Sequence, residues 1–197
     1  MTTRNADAVH AKAAVHVFQP SGDSLLSLLD EFYSAMPNPP AIDADFVSPE
    51  ELPQPQRTLL VHSGDMTSTL TRHHGEEIAL QVLHCVEGPH WYRRHIVLKT
   101  SASGRPVEYG VMRILLPLLQ EEARREVLAA QSPLGAVLAR HGLAYRHSPS
   151  GFFKIRSNRL IEQYLGLSAP QWLYGRCNSM SDSVGRVVAE VVEILPQ

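Results

Sequence analysis

The sequence predicts an α+β fold, an antiparallel sheet with helices gathered between groups of strands. Three observations lead there. Six or seven stretches are rich in β-branched and apolar residues and read as strands. Tight turns join several of them, as at Glu87-Gly-Pro-His90 and Ser101-Ala-Ser-Gly-Arg105. The helical stretches do not alternate one for one with strands, as βαβ units would.

Taken in order, residues 1 to 20 show no clear period. Ser21 to Met36 reads as a helix that Asp23 or Ser24 can cap, with a stripe of Leu25, Leu28, Leu29 and Phe32. Residues 37 to 57 hold six of the fourteen prolines and read as an irregular crossing. Residues 1–57 are therefore expected as an N-terminal extension, and 58–197 as the main domain. Thr58 to His62 is short and apolar. Asp65 is a good N-cap and Gly75 a good stop for a helix between them. Ile78–Val86, Trp91–Thr100 and Pro106–Leu116 are expected as an antiparallel series. Leu118 to Ala130 is helical, with Glu121 and Glu122 early and Arg124 and Arg125 later. Ser132-Pro-Leu-Gly135 turns into a short helix ending at Gly142. Leu143–His147 and Phe152–Arg156 are expected as a further pair of strands. Ser157 to Leu165 is a helix stopped by Gly166. Gln171–Asn178 and the strand from Gly185 to Pro196 complete the chain.

Bulk composition excludes several classes. The 197 residues suit one domain, alone or with a tail, and 44% hydrophobic content suffices for a core. A net charge of −2 argues against nucleic acid or a membrane surface as a partner reached by bulk electrostatics. Cys85 and Cys177 make neither a disulfide framework nor a zinc site, and both are expected as reduced, packed residues of a cytoplasmic protein. No signal peptide is apparent, and no apolar run approaches the roughly 20 residues of a membrane span. His73 and His74 are adjacent on a helix and cannot face one ion together; no His-Glu-x-x-His pattern occurs, so no metal is expected. Nucleophile-elbow, phosphate-loop and dinucleotide fingerprints are also absent from the sequence.

Period-two alternation isolates two anomalies. In the last strand, Glu193 shares a face with Val187, Ala189, Val191 and Leu195. In the strand from His90 to Lys99, Arg94 shares a face with Tyr92, Ile96 and Leu98, while Arg93, His95 and Lys99 take the wetter side. A charge in an apolar row must be paired, hydrogen-bonded or neutralised. Two readings stay open: a structural ion pair, or a pocket with a fixed cation and a tuned carboxylate. Glu108 reads as a salt-bridge residue within the sheet, Tyr92 and Tyr109 as core. Arg176, beside Trp172 and Tyr174, suits a stacked structural role nearly as well as a ligand contact.

Six short stretches, in this order, resemble the chorismate lyase-like superfamily, of the chorismate pyruvate-lyase type. The branch is one once known only as a domain of unknown function. They are Gly64-Asp-Met-Thr67, Trp91 to Leu98, Pro106-Val-Glu-Tyr-Gly110, Ser132-Pro-Leu-Gly135, Leu173 to Asn178 and Glu193-Ile-Leu-Pro196. The resemblance spans residues 58 to 196 and leaves out the front segment. It implies a six-stranded antiparallel sheet around a closed ligand cavity. It also implies elimination of pyruvate from chorismate to give 4-hydroxybenzoate, with no metal or organic cofactor. By the same resemblance Arg94 holds the ring carboxylate and Glu193 lies near the ring hydroxyl. Met66 lines the pocket and helps bind through its backbone. Leu134 and Gly135 present backbone to the other end of the ring, and Arg176 contacts the pyruvyl carboxylate.

Such chemistry fits these residue types. Chorismate is a dianion, and an arginine fork meets a carboxylate with two parallel hydrogen bonds. Aromatisation drives the reaction, so the protein has mainly to orient the ring and exclude water. A desolvated Glu193 is expected to have a raised pKa and to move a proton or anchor the hydroxyl. Two alternatives stand beside the lyase: a related enzyme with another substrate, and a non-enzymatic effector-binding module. The expected partner is a small carboxylate, and the expected state a monomer or weak dimer.

Overall fold

Seven antiparallel strands form one sheet in the order β1-β5-β6-β7-β4-β3-β2. The structure is a computed structural model that describes residues 26–197; the readings for residues 1 to 25 lie outside the described residues. The strands are β1 Ala44–Val47, β2 Ile78–Glu87, β3 Trp91–Thr100, β4 Pro106–Leu115, β5 Tyr145–Arg156, β6 Trp172–Asp182 and β7 Val187–Leu195. The helices are α1 Ser27–Ser34, α2 Gln56–Leu60, α3 Met66–His74, α4 Glu121–Ala129, α5 Leu134–Arg140 and α6 Arg159–Leu165. The expected α+β class holds. The sheet has one strand more than the resemblance implies, and β1, from the front segment, pairs with β5 along Ala44↔Ile155 to Val47↔Phe152.

Local signals explain most boundaries. The Asp65 side chain accepts a hydrogen bond from the Ser68 amide, and Gly75 closes α3 in the left-handed region at φ 67°. Asn158 caps α6 by accepting from Leu160 and Ile161, and Gly166 ends it. The short apolar stretch from Thr58 falls partly within α2, with Leu59 and Leu60 buried. One stretch differs from expectation. The pair of strands around Ser148-Pro-Ser-Gly151 is instead one strand, β5. Its register against β6 shifts between Pro149 and Gly151 as a bulge. Among the described residues β5 has no second strand beside it there, since β1 covers only Phe152 to Ile155, so a proline lacking N–H fits that edge.

Helices cover both faces. On one, α2 to α5 pack Leu60, Leu70, Val127, Val137 and Leu138 against Ile96, Leu98, Ile114, Ala189 and Leu195. On the other, α1 and α6 pack Leu29, Phe32, Tyr33 and Ile161 against Val97, Tyr109, Val111, Val192 and Ile194. The side of β3 expected to be wetter is thus closed by α1. His95 is buried there, its ring 4.6 Å from Phe32 and 4.7 Å from Tyr109. Burial, and then the neighbouring His84, pull its pKa down to about 4. Tyr33 and Tyr109 share a hydrogen bond between hydroxyls at 3.1 Å, and Glu31 of α1 reaches Arg93 and Arg113. Of the cysteines, Cys177 is buried, while Cys85 is exposed on the edge strand β2 and is not the packed residue expected.

Leu29 is fully buried in this second core. Leu29→Ala is expected to lower stability by about 2–5 kcal/mol in denaturant unfolding. A loss under about 0.5 kcal/mol, the scale of a neutral surface change, would mean that α1 is not part of the cooperative unit.

Candidate functional site

Strand register puts the two anomalous residues on neighbouring rungs of one face. Arg94 lies opposite Met112, and Met112 opposite Val191. Two residues along, Ile96 lies opposite Gly110, Gly110 opposite Glu193, and Glu193 opposite Arg176. Two further along, Leu98 faces Glu108. A cavity of about 490 Å³ of atom-free space, its mouth included, stands over these rungs. Leu80, Arg94, Ile96, Leu98, Glu108, Met112, Val191 and Glu193 line its floor and sides. The start of α3 (Asp65, Met66, Thr67), the start of α5 (Pro133, Leu134, Gly135), His147 and Met180 complete the wall.

Arg94 is 1% exposed. It donates from Nη1 to the Ser132 carbonyl and from Nη2 to the Met112 sulfur, both at 3.4 Å, and its Nε has no partner. Among the described residues no carboxylate forms a salt bridge with it. Burial pulls its pKa below the ordinary arginine value. A buried cation without a counter-ion costs several kcal/mol, and a bound anion removes that cost.

The second arginine is paired through Nε and Nη1, while its Nη2 has no partner among the described residues. Arg176 is fully buried; its Nε donates to Glu193 Oε2, and its Nη1 donates to the carbonyls of Leu60 and His62, each at 3.0 Å. The pair sits over Gly175, where a Cβ would run into the Glu193 carbonyl and the Phe153 ring. Glycine there lets β6 and β7 close tightly beneath the site.

Glu108 has no such cation. It is 2% exposed, and its Oε2 has no partner. Burial, and next the charge of Glu193, push its pKa well above the ordinary value; Arg176 opposes this and Asp65 adds to it. The expected salt bridge within the sheet does not form; the protonated acid is favoured instead. Nearby, His147 is held neutral, chiefly by burial. With the Asn178 amide donating to Nδ1 at 3.0 Å, the hydrogen sits on Nε2, which has no partner.

Gly135 explains the Pro-Leu-Gly stretch. A Cβ there would come 2.6 Å from Asp65 Oδ1 and 3.0 Å from the Tyr145 hydroxyl. Only glycine lets the start of α5 come this close to the start of α3 and roof the cavity.

Of the residues singled out in the sequence, the structure brings Arg94, Glu193, Met66, Leu134 and Gly135 together on one cavity wall. Arg176 lies behind Glu193 and is not among the lining residues. Sequence reasoning passed over Glu108, Asp65 and His147 as site residues. Alternation puts Glu108 on the face of β4 that carries Gly110 and Met112, but nothing in the sequence marks that face as the cavity side.

Solved structures share the fold. The effector domain of PhnF from Mycobacterium smegmatis matches with TM-score 0.50 and 15% identity over 67% of this chain and 88% of that one. A PhnF structure from the same organism matches with TM-score 0.51 and 12% identity over 87% and 94%. A possible transcriptional regulator YydK from Bacillus subtilis matches with TM-score 0.47 and 13% identity, over 60% of this chain and 57% of that one. At these identities the likeness is one of fold. No protein-family profile and no curated protein matches the sequence. Among the described residues no helix is long and apolar enough to cross a membrane, and no group of three or more His, Cys, Asp or Glu is placed to hold a metal ion.

The ion pair generates a stability prediction. Arg176→Met leaves Glu193 buried without its cation and is expected to cost about 3–5 kcal/mol in denaturant unfolding. Adding Glu193→Leu is expected to restore most of that loss. If the loss in the double variant equals the sum of the losses in Arg176→Met and Glu193→Leu alone, the two side chains are not energetically coupled.

Proposed function

We propose that the chain is a cofactor-independent lyase that takes chorismate to 4-hydroxybenzoate and pyruvate. The observation that carries the reading is the buried, uncompensated Arg94 beside a walled cavity, two residues along β3 from the Glu193 rung. That offset is about 6.6 Å along the strands, and Glu193 lies two strands across, about 9.6 Å, so the two side chains reach the one cavity from backbones about 12 Å apart. A ring carboxylate on Arg94 places the opposite ring oxygen at Glu193. The six stretches of the resemblance support the reaction assigned to this arrangement.

The chain's residues have little covalent work in such a step. Arg94 holds the carboxylate, and the apolar wall of Ile96, Leu98, Met112 and Val191 orients the ring and excludes water. The ring then loses the proton of its hydroxyl-bearing carbon, and the carbon–oxygen bond to the enolpyruvyl group breaks. The ring becomes aromatic, and the departing enol takes up a proton as pyruvate. No electrons are gained or lost overall. Glu193 either receives that proton or anchors the hydroxyl while the departing group removes it.

A second reading is an effector-binding module, and the fold shared with the PhnF effector domain favours it. Both readings use Arg94; they differ in whether a bound ligand is converted or only held.

Incubation of the purified protein with chorismate is expected to give 4-hydroxybenzoate and pyruvate in equal amounts by chromatography. Arg94→Ala is expected to weaken binding of either compound about 10- to 100-fold. Glu193→Gln is expected to lower turnover about 10²-fold or more with a smaller effect on binding. No product, with Arg94-dependent binding of 4-hydroxybenzoate, would replace the lyase by the effector module. Neither product nor binding would remove both readings.

A further inference from the structure

Glu108 belongs to no role assigned so far, and its geometry gives it one. Its Oε1 lies only 3.1 Å from where a Cβ on Gly110 would stand, so its carboxyl leans along β4 toward the rung shared by Gly110 and Glu193. Two carboxyl groups therefore converge on one end of the cavity, opposite the end held by Arg94. The guanidinium at that end, Arg176, donates its Nε to Glu193. Glu108 has a free Oε2 in a cavity wall and no cation. Two buried carboxylates cannot both stay ionised on one cation, so one keeps its proton. From these contacts we infer that Glu108 is a protonated carboxyl which donates a hydrogen bond to a ligand hydroxyl while Glu193 accepts that hydroxyl's hydrogen. The pair thereby selects a ring acid with a hydroxyl across from its carboxylate. The inference rests on the carboxylate site at Arg94 and adds a determinant of specificity to it.

The groups facing Glu108 are Glu193 from β7, Arg176 from β6 and Asp65 before α3, with His147 and His62 beyond them. Burial and Glu193 raise its pKa, so the folded chain keeps a proton that the unfolded chain loses above the ordinary carboxylate range. The unfolded state then binds fewer protons, and stability falls as pH rises through that window.

The test has two arms on the full chain. Calorimetry compares 4-hydroxybenzoate with benzoate on the wild type, Glu108→Gln and Glu108→Ala. The wild type is expected to prefer the hydroxy acid about 10-fold or more, because a polar site rejects a ligand that leaves it unpaired. Glutamine, a neutral donor of the same length, is expected to keep that preference and alanine to lose it. Denaturant unfolding from pH 5 to 9 is expected to show the ligand-free wild type losing stability relative to Glu108→Gln as pH rises. Parallel curves, or glutamine losing the preference as fully as alanine, would overturn the protonated donor. Equal binding of the two acids to the wild type, still lost in Arg94→Ala, would overturn the selection and leave the carboxylate site standing. No binding of either acid would overturn the carboxylate site and the selection with it.

Discussion

The pairing of Arg176 with Glu193 sets the charge balance of the cavity. Arg176 is fully enclosed, and its contacts come from one carboxylate and two backbone carbonyls. By committing the nearer cation, the pair leaves the two other polar groups of the floor with complementary needs. Among the described residues Arg94 forms no salt bridge with a carboxylate, and Glu108 forms none with a cation. Neither can satisfy the other, because they sit two rungs apart on the adjacent strands β3 and β4. The floor is therefore polarised along the strand direction, cationic at one end and acidic at the other. Buried charges of this kind are costly unless they are paired or hydrogen-bonded.

What keeps those ends apart is the back of the sheet. There α1 and α6 bury Tyr33, Phe32, Phe153, Ile155 and Ile194, and Tyr33, Tyr109 and Asn158 share a short chain of hydrogen bonds. Such packing removes freedom from β4, β7 and β3 and holds the rungs of the front face in register. The segment from residue 26 to 47, which carries α1 and β1, contributes to this clamp although it lies outside the stretches of the resemblance. The geometry of the front face thus depends on side chains that never touch the cavity.

Much of this was legible in the amino-acid order. The capped helix α3 and the β2-β3-β4 meander arise from local signals, as does α6, stopped at Gly166. Alternation placed Arg94 and Glu193 inward without knowledge of their neighbours. Glu108 was harder. It lies between Val107 and Tyr109, and both faces of β4 are covered, so inward and outward positions look alike in sequence. A carboxylate there reads as a salt-bridge partner unless one knows that Arg176 is already taken, which depends on the register of β6 against β7. Asp65 was legible as an N-cap because capping is local. Its place at the cavity rim depends on Gly135, seventy residues away, letting α5 approach. The bulge in β5 escaped for the opposite reason: a Pro-Ser-Gly run has the composition of a turn, and only the missing neighbour on its open edge lets it continue as strand.

The strand that comes last in sequence occupies the middle of the sheet, between β6 and β4. Before it is placed, the strands form two ribbons, β2-β3-β4 and β1-β5-β6, with no strand pairing between them among the described residues. Arg94 and Glu108 belong to one ribbon and Arg176 to the other; Glu193 arrives with the bridge. The floor of the cavity is accordingly incomplete without β7, which supplies Val191 and Glu193. On a ribosome, where residues emerge in order, the floor of the site cannot exist until β7 is released. Until then β4 and β6 each present an unpaired edge to whatever is nearby, the condition in which nascent sheets are prone to join one another.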